Sequence, residues 1–145
     1  MRLELTKRTD LAFQALTAVG SAAEHRVNGA ALAESLGITT HYLPHVMAPL
    51  TRSGWITSTS GPRGGYTIVA ELDKITLLEL VEAVEGPIDT SGCLHLGPRH
   101  SDGDVCALHR PWTRAREALI SELAHVTISD IACESESTGL VHIHT

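Results

Sequence analysis

Residues 54–69 read GWITSTSGPRGGYTIV, and this stretch decides the fold that the sequence predicts. Residues 55–60 and 66–69 are rich in β-branched and small polar side chains, which favours strands. Between them, Gly61-Pro62-Arg63-Gly64-Gly65 has the composition of a tight turn. The stretch therefore predicts a β-hairpin, which we call the wing.

Upstream of the wing, the sequence predicts three helices. Apolar residues recur at helical spacing over residues 9–23, with Thr9 as the N-cap and Asp10 in the first turn. A turn at residues 24–28 leads to a short helix at 30–36, which Gly37 is suited to end in a left-handed conformation. Thr39 or Thr40 then caps a third helix. Two helices joined by a short glycine turn are the layout of a helix-turn-helix.

Downstream of the wing, the sequence predicts helices on either side of an irregular loop. Residues 75–84 have helical spacing, whereas residues 85–105 contain four glycines and two prolines. A long helix from about residue 107 or 111 to 124 follows, then a short one at 129–133, where Cys133 is expected in the core. The predicted fold is mainly α with a small β-hairpin wing: a winged helix-turn-helix followed by a long C-terminal helix.

The net charge of −6 conceals an uneven distribution along the 145 residues. Residues 1–70 contain six basic and four acidic residues, whereas residues 71–145 contain five basic and thirteen acidic ones. No acidic residue occurs between Ser35 and Ala70. This asymmetry favours a polyanion-binding half joined to an acidic half, with chance scatter of surface charge as the alternative.

The composition argues against several classes of protein. No apolar run approaches the ~20 residues of a membrane span, and no signal peptide is recognisable. Three cysteines do not suit a secreted disulfide framework, so a cytoplasmic protein is expected. Cys106 and His109 form a pair without an evident oxyanion hole or orienting group, so we do not expect an enzyme.

The predicted helix-turn-helix and wing carry candidate DNA contacts. A recognition helix presents its N-terminal residues to base edges in the major groove. Here those residues are Thr39, Thr40, His41, Tyr42 and His45. Arg52 at the far end of the helix is suited to the DNA backbone, and Arg63 on the wing is suited to a minor groove. The alternative for Arg63 is a solvated turn residue.

Five potential metal ligands lie close together in and after the irregular loop: Cys93, His95, His100, Cys106 and His109. Thiolates and imidazoles that converge in a glycine- and proline-containing loop suit a transition metal. Two cysteines and two histidines also suit tetrahedral zinc. Metal-free sensing of oxidants by Cys93 and Cys106 is a third possibility.

Taken together, these motifs resemble a family of bacterial winged-helix repressors that includes the iron–sulfur regulators IscR and NsrR. The resemblance extends over nearly everything up to Cys133. The residues that carry it are Met1-Arg2-Leu3, Thr9-Asp10-Leu11-Ala12, Tyr42-Leu43, Leu50-Thr51-Arg52-Ser53-Gly54, Gly61-Pro62-Arg63-Gly64-Gly65-Tyr66, Ile75-Thr76-Leu77-Leu78-Glu79-Leu80-Val81, Ala83-Val84-Glu85-Gly86, Cys106 with Trp112, and Thr127-Ile128-Ser129-Asp130-Ile131.

The resemblance implies a homodimeric, DNA-binding transcriptional repressor. Together with the predicted elements, it divides the chain into a winged helix-turn-helix region (1–84), a sensor and metal-binding loop (85–106) and a dimerisation helix with a short terminal helix (107–133). The tail at 134–145 lies beyond the resemblance and is expected to be mobile. This chain has His45 and Pro49 in the stretch where members of the family usually carry charged residues, so the operator sequence does not transfer. A protein-interaction module without DNA binding is the alternative from another class.

The resemblance also implies a set of ligands for an iron–sulfur cluster. Cys93 and Cys106 resemble the first and third of the family's three cysteines, and His100 stands near the place of the second. His109 matches the histidine ligand of IscR-like members, and Asp10 matches the acidic ligand of NsrR-like members. The implied site is a 2Fe-2S cluster held by Cys93 and Cys106 with two of His100, His109, Asp10 and His95.

Overall fold

A computed structural model describes residues 4–89 and 107–138, with side chains as far as Ser135. In these ranges the chain forms six α-helices and a three-stranded antiparallel sheet. The helices are α1 Lys7–Ser21, α2 Gly29–Ser35, α3 Leu43–Arg52, α4 Leu77–Glu85, α5 His109–His125 and α6 Ile128–Thr138. The strands are β1 Arg26–Val27, β2 Ile56–Thr59 and β3 Gly65–Ile68, and a 3₁₀ turn covers Leu72–Lys74.

The first helix begins earlier than the sequence predicts. Thr6, and not Thr9, is the N-cap of α1, since the Thr6 hydroxyl accepts the Thr9 N–H at 3.2 Å. Thr9 is instead fully buried, and its hydroxyl donates to the carboxylate of Glu85 at the end of α4. The helix ends at Ser21 rather than at residue 23, because Ala22 has an extended backbone conformation.

The second helix lies close to its predicted position. α2 begins at Gly29 because the Asn28 side chain caps it, accepting the Ala30 N–H at 2.8 Å. Gly37 has a φ of +65°, the left-handed conformation expected of the residue that ends this helix. The predicted turn between the two helices of the helix-turn-helix is therefore confirmed.

The third helix, which is the predicted recognition helix, contains two prolines. Thr39 caps the turn that precedes α3, and its hydroxyl accepts the Tyr42 N–H at 3.2 Å. Pro44 lies in the first turn, where its missing N–H costs no helical hydrogen bond. Pro49 lies inside α3, but the helix continues to Arg52. The Pro49 ring is fully buried, so its packing in the core offsets the lost backbone hydrogen bond.

The wing is confirmed, and a third strand extends its sheet. β2 and β3 pair antiparallel, with Ile56 opposite Ile68. The sequence predicts only a turn at residues 24–28, but Arg26–Val27 pairs with β3 and gives the strand order β1-β3-β2. A strand of two residues is too short for the alternating pattern by which strands are recognised.

The hydrophobic core lies among α1, α3 and α4 and reaches the start of α6. Its fully buried large apolar side chains include Leu16, Val19, Leu32, Val46, Met47, Leu50, Ile56, Ile75, Leu80 and Ile128. Backbone hydrogen bonds also hold the start of α6 to the start of α4. The Ile128 N–H donates to the Ile75 carbonyl at 2.9 Å, and the Leu77 N–H donates to the Val126 carbonyl at 2.8 Å.

The fifth helix is long but poorly covered. α5 has 17 residues, and none of them is buried within the described part of the chain. It packs against α4, and Leu119 keeps 40% of its surface exposed. No helix in residues 4–89 and 107–138 is long and apolar enough to cross a membrane.

The last helix is longer than the sequence predicts. α6 extends from Ile128 to Thr138 rather than over 129–133, so the beginning of the predicted mobile tail is helical. The sequence contains no glycine or proline in this stretch before Gly139 that would end the helix sooner. Cys133 is exposed and not in the core, because it lies about 140° around the helix from the buried Ile128.

Candidate nucleic-acid interface and candidate metal centre

The start of α3 presents an aromatic ring and an imidazole side by side. The ring centroids of Tyr42 and His45 lie 5.8 Å apart, with the ring planes inclined by 40°. Tyr42 keeps 42% of its surface exposed. Thr39, Thr40 and His41, in the segment before the helix, are also exposed. This end of α3 therefore offers hydroxyl and ring-nitrogen groups that can donate or accept hydrogen bonds.

The two predicted DNA-binding arginines are both exposed. Arg52 is the last residue of α3, and Arg63 lies in the turn of the wing. Because residues 35–70 contain no carboxylate, the positive charge of both side chains is not neutralised within this stretch. All seven residues that the sequence predicts as DNA contacts are thus accessible to a ligand.

The turn of the wing depends on glycine. Gly61 has a φ of +102°, and the Gly64 N–H donates to the Gly61 carbonyl at 2.8 Å. A Cβ atom at Gly64 would lie 2.2 Å from the Thr59 carbonyl oxygen, so no larger residue fits without moving the backbone. This tight closure places Arg63 at the tip of the hairpin.

A polar cleft beside the wing escapes sequence analysis. The cleft has a volume of about 340 Å³ and lies between the wing and Asn28-Gly29-Ala30, with Ser58, Ser60 and Tyr66 in its wall. None of its lining residues is charged. The pairing of β1 with β3 brings Asn28 beside the wing, and that pairing is not predictable from the sequence. The run of serines and threonines in residues 57–60 is the one sequence signal that points to it.

Two of the six candidate metal ligands lie in the described part of the chain. Cys93, His95, His100 and Cys106 lie outside the described residues. Asp10 Oδ2 accepts hydrogen bonds from Lys7 Nζ at 3.3 Å and Gln14 Nε2 at 3.1 Å, and 48% of the Asp10 side chain is exposed. His109 is exposed as the first residue of α5.

The described side chains do not form a metal site by themselves. No group of three or more His, Cys, Asp or Glu side chains suited to a metal occurs within residues 4–89 and 107–135. Asp10 retains its second carboxylate oxygen, and the His109 imidazole is accessible, so both fit the role of an additional ligand. A metal centre would therefore need the cysteines of the loop.

The carboxylate of Glu85 joins the end of α4 to the beginning of α1. It accepts hydrogen bonds from the Thr9 hydroxyl and from the Thr6 N–H, the latter at 3.0 Å. The Thr9 hydrogen bond, helped by those of Thr6, holds the pKa of Glu85 below its usual range against the opposing effect of burial. Gly86, with a φ of +94°, follows directly and leads towards the cysteine-bearing loop. The N-terminus of α1, with Asp10, is thus tied to the start of that loop.

The chain is similar to known transcriptional regulators over most of its length. A family model described as "Rrf2: Iron-dependent Transcriptional regulator" matches residues 5–134. The HTH-type transcriptional regulator ORF2 of Azotobacter vinelandii is 31% identical over 134 residues, which cover 89% of this chain and 80% of that protein. IscR of Klebsiella pneumoniae is 29% identical over 116 residues, 78% of this chain and 71% of that protein.

Solved structures of the same architecture confirm the fold. CymR of B. subtilis superposes with a TM-score of 0.72 at 23% identity, covering 92% of this chain and 98% of that one. IscR of T. potens also reaches a TM-score of 0.72, at 19% identity, covering 97% of this chain and 93% of that one. At these identities the likeness establishes the winged-helix fold.

Proposed function

The chain belongs to the Rrf2 family of transcriptional regulators, and from this premise we propose that it represses transcription by binding promoter DNA as a homodimer. The family consists of transcriptional regulators and not of enzymes, in agreement with the sequence analysis. The observation that carries the DNA-binding proposal is the exposure of all seven predicted contact residues, on and around a helix and a hairpin, within a stretch free of carboxylates. In this arrangement the start of α3 enters the major groove and Arg63 enters a minor groove.

A homodimer suits both the charge and the surface of the chain. Each chain brings few basic residues to DNA, so two copies are needed to neutralise enough phosphates for firm binding. α5 has no buried residue within the described chain and exposes Leu119, so a second copy packed on this helix would cover it. Because DNA is the proposed partner, the cytoplasm is the compartment that the proposal requires.

Fluorescence anisotropy with a labelled duplex from the region upstream of the chain's own gene tests DNA binding. We expect Arg63→Ala to weaken binding by about tenfold, the effect of losing a charge-assisted contact. The slope of log affinity against log salt should fall by about 0.9 for each charge lost. Lys74→Ala, an exposed cation outside the acid-free stretch, is the matched control and should bind normally.

The DNA-binding proposal fails if the unaltered protein binds no duplex at low salt. That result would favour the alternative of a protein-interaction module. Equal losses in Arg63→Ala and Lys74→Ala would instead show that general charge, and not the wing, determines binding.

We also propose that the cysteine-bearing loop senses redox, nitric oxide or iron status through an iron–sulfur cluster. The proposed 2Fe-2S cluster is held by Cys93 and Cys106 with two of His100, His109, Asp10 and His95. Relatives named IscR and the iron-dependent description of the family support this proposal, as do the accessible Asp10 and His109 side chains. When bound, such a cluster supplies a centre that responds to oxidants and to nitric oxide. The tie between Glu85 and α1 gives the loop a mechanical connection to the helix that carries Asp10.

Two alternatives to an iron–sulfur cluster, a zinc site and a metal-free thiol switch, are each supported by an observation. Zinc suits a site with two cysteines and two histidines. A metal-free thiol switch between Cys93 and Cys106 is favoured by the likeness to Staphylococcus aureus CymR, which has been solved in an oxidized form. Both modes use the same two cysteines.

Anaerobic purification with absorption spectroscopy and metal analysis separates the three modes. We expect a coloured protein with iron and sulfide, which Cys93→Ser and Cys106→Ser should abolish. Cys133→Ser is the matched control, because Cys133 is exposed on α6 and belongs to no proposed site. A colourless protein with stoichiometric zinc, or a metal-free protein with a reversible Cys93–Cys106 disulfide, would contradict the cluster.

The ligands other than cysteine need separate variants. His100→Ala, His109→Ala and Asp10→Ala should each be scored for retention of the cluster absorption. Two of the candidate ligands should matter under the proposal, so at least one of these three variants should lose the cluster. Unchanged spectra in all three would show that the assignment is wrong.

A further inference from the structure

The cleft beside the wing collects hydrogen-bonding groups that have no partner in the described part of the chain. Ser58 and Tyr66 lie directly opposite each other on β2 and β3, so their side chains leave the sheet on the same face. The hydroxyls of Ser58, Ser60 and Tyr66 have no hydrogen-bond partner among the described residues. Asn28 uses its carbonyl oxygen to cap α2, which leaves its amide nitrogen free to donate.

The electrostatics of the cleft favour an anion. No carboxylate lines the cleft, and two of its glycines, Gly61 and Gly64, belong to the same turn as Arg63. Burial raises the pKa of the Tyr66 phenol above its usual value, so this group stays protonated and able to donate at neutral pH. Several neutral donors in a cleft without carboxylates match a singly charged group with several acceptor oxygens.

We propose that this cleft receives a phosphodiester group of the DNA backbone next to the groove that Arg63 enters. The inference rests on the proposed DNA-binding function and adds a second contact surface to it. Side-chain hydroxyls and amides commonly bind DNA phosphates, and such contacts fix the position of a protein on the duplex without reading its sequence. Ser58, Tyr66 and Asn28 are thus positioning residues for the wing.

The test uses the full-length protein with two labelled duplexes, one from the region upstream of its own gene and one of scrambled sequence. Ser58→Ala and Tyr66→Phe should each bind both duplexes about tenfold more weakly, as expected for losing a hydrogen bond to a charged group. The ratio between the two duplexes should not change, because phosphates carry no sequence information. The salt dependence should also persist, because a neutral donor releases no counterions.

Thr57→Ala is the matched control for these variants. Thr57 lies on the same strand as Ser58, but its side chain leaves the opposite face and does not line the cleft. This variant should bind both duplexes like the unaltered protein. Thermal unfolding of all three variants should give similar midpoints. Tyr66→Phe keeps the aromatic ring, so it remains a usable test if Ser58→Ala folds poorly.

Duplexes carrying single uncharged methylphosphonates locate the contact. The unaltered protein should bind more weakly when the methylphosphonate is at one backbone position on each side of the site, one for each subunit. Ser58→Ala, which already lacks the contact, should lose little further affinity from a methylphosphonate at that position. If Ser58→Ala and Tyr66→Phe both keep full affinity, or if they lose affinity for only one of the two duplexes, the phosphate site is overturned and the proposed function stays intact. An unaltered protein that binds neither duplex would overturn both.

Discussion

Among the described glycines, Gly64 has the least room for a side chain. A Cβ atom there would lie 2.2 Å from the Thr59 carbonyl oxygen, within the turn that holds Arg63. We expect Gly64→Ala to lower the free energy of unfolding by about 3 kcal/mol, the upper range for overpacking. Chemical denaturation measures this loss. Gly29→Ala, whose Cβ would have its nearest neighbour at 3.7 Å, is the control and should cost less than about 1 kcal/mol; equal costs would contradict the role of the turn.

The hydrogen bonds of Glu85 make a second prediction at the scale of a residue. Removing its carboxylate leaves the buried Thr9 hydroxyl and the Thr6 N–H without their acceptor. We expect Glu85→Ala to lower the free energy of unfolding by about 1–2 kcal/mol. Glu24→Ala, an exposed carboxylate in the turn after α1, should have no measurable effect in the same denaturation experiment. Similar stabilities for the two variants would mean that the bonds to Glu85 contribute nothing.

The same carboxylate makes stability depend on pH. The pKa of Glu85 is lowered, mainly by the Thr9 hydrogen bond, so its contribution is fully present above the ordinary value of 4.5 and is lost as the pH falls below that value. The difference in unfolding free energy between the unaltered protein and Glu85→Gln should therefore shrink below pH 4.5. Asp130 has a pKa lowered in the same direction, by its hydrogen bonds with Thr127. Comparison with Glu85→Gln isolates Glu85, since Asp130 is present in both proteins.

Thr9 shows what residue type alone does not predict. A threonine before an apolar helical run is a good N-cap candidate, so the local pattern predicts that role for Thr9. Its hydroxyl instead meets a carboxylate 76 residues away in the sequence. Local pattern does not reveal such a partner, whereas the exposure of Arg52 and Arg63 follows from their helix-end and turn positions.

At the scale of an element, α4 begins with a reciprocal pair of hydrogen bonds. The Glu79 N–H donates to the Thr76 hydroxyl at 3.2 Å, and Glu79 Oε2 accepts the Thr76 N–H at 2.8 Å. We expect Glu79→Ala to lower the free energy of unfolding by about 1 kcal/mol. Glu79→Gln can make the same pair and should retain most of the stability. Equal losses in a thermal or chemical melt would attribute the effect to charge and not to the cap.

The elements that the sequence predicts best have a periodic apolar pattern or a glycine-rich turn that marks where they end. α1 and α4 each present a clear apolar repeat, and the wing has a glycine-rich turn between two β-branched runs. β1 escapes prediction because its two residues become a strand only by pairing with β3. The length of α6 escapes prediction because its last turns are polar, so no apolar pattern marks where the helix ends.

At the scale of the whole molecule, α5 makes a prediction about assembly. Leu119 is 40% exposed on a helix that has no buried residue within the described chain. We expect Leu119→Asp to shift the protein towards a monomer in sedimentation velocity, because a charge would be buried in the proposed interface. DNA affinity should fall with it. Arg63→Ala should stay dimeric while losing DNA, and a monomeric unaltered protein would contradict the interface.

The candidate site is predictable from the sequence only in part. Residue type and position along the helix and hairpin predict seven exposed contact residues, and the structure has all of them on the surface: Thr39, Thr40, His41, Tyr42, His45, Arg52 and Arg63. The cleft at Ser58 and Tyr66 requires knowledge of which strands pair and of which face their side chains leave. The assignment of individual ligands to a cluster rests on family resemblance, because residue types alone suit a cluster, zinc or a disulfide equally.

The uncovered length of α5 has a consequence for how a cell would use this protein. If the form that binds DNA is a pair, its amount at low abundance grows with the square of the number of chains, by mass action. Doubling expression would then raise the population of pairs by about fourfold. The activity of a promoter that the protein controls would then change more steeply with the number of chains than it would if a single chain bound DNA. The same helix would thus make repression more sensitive to the amount of the chain, in addition to holding two subunits together.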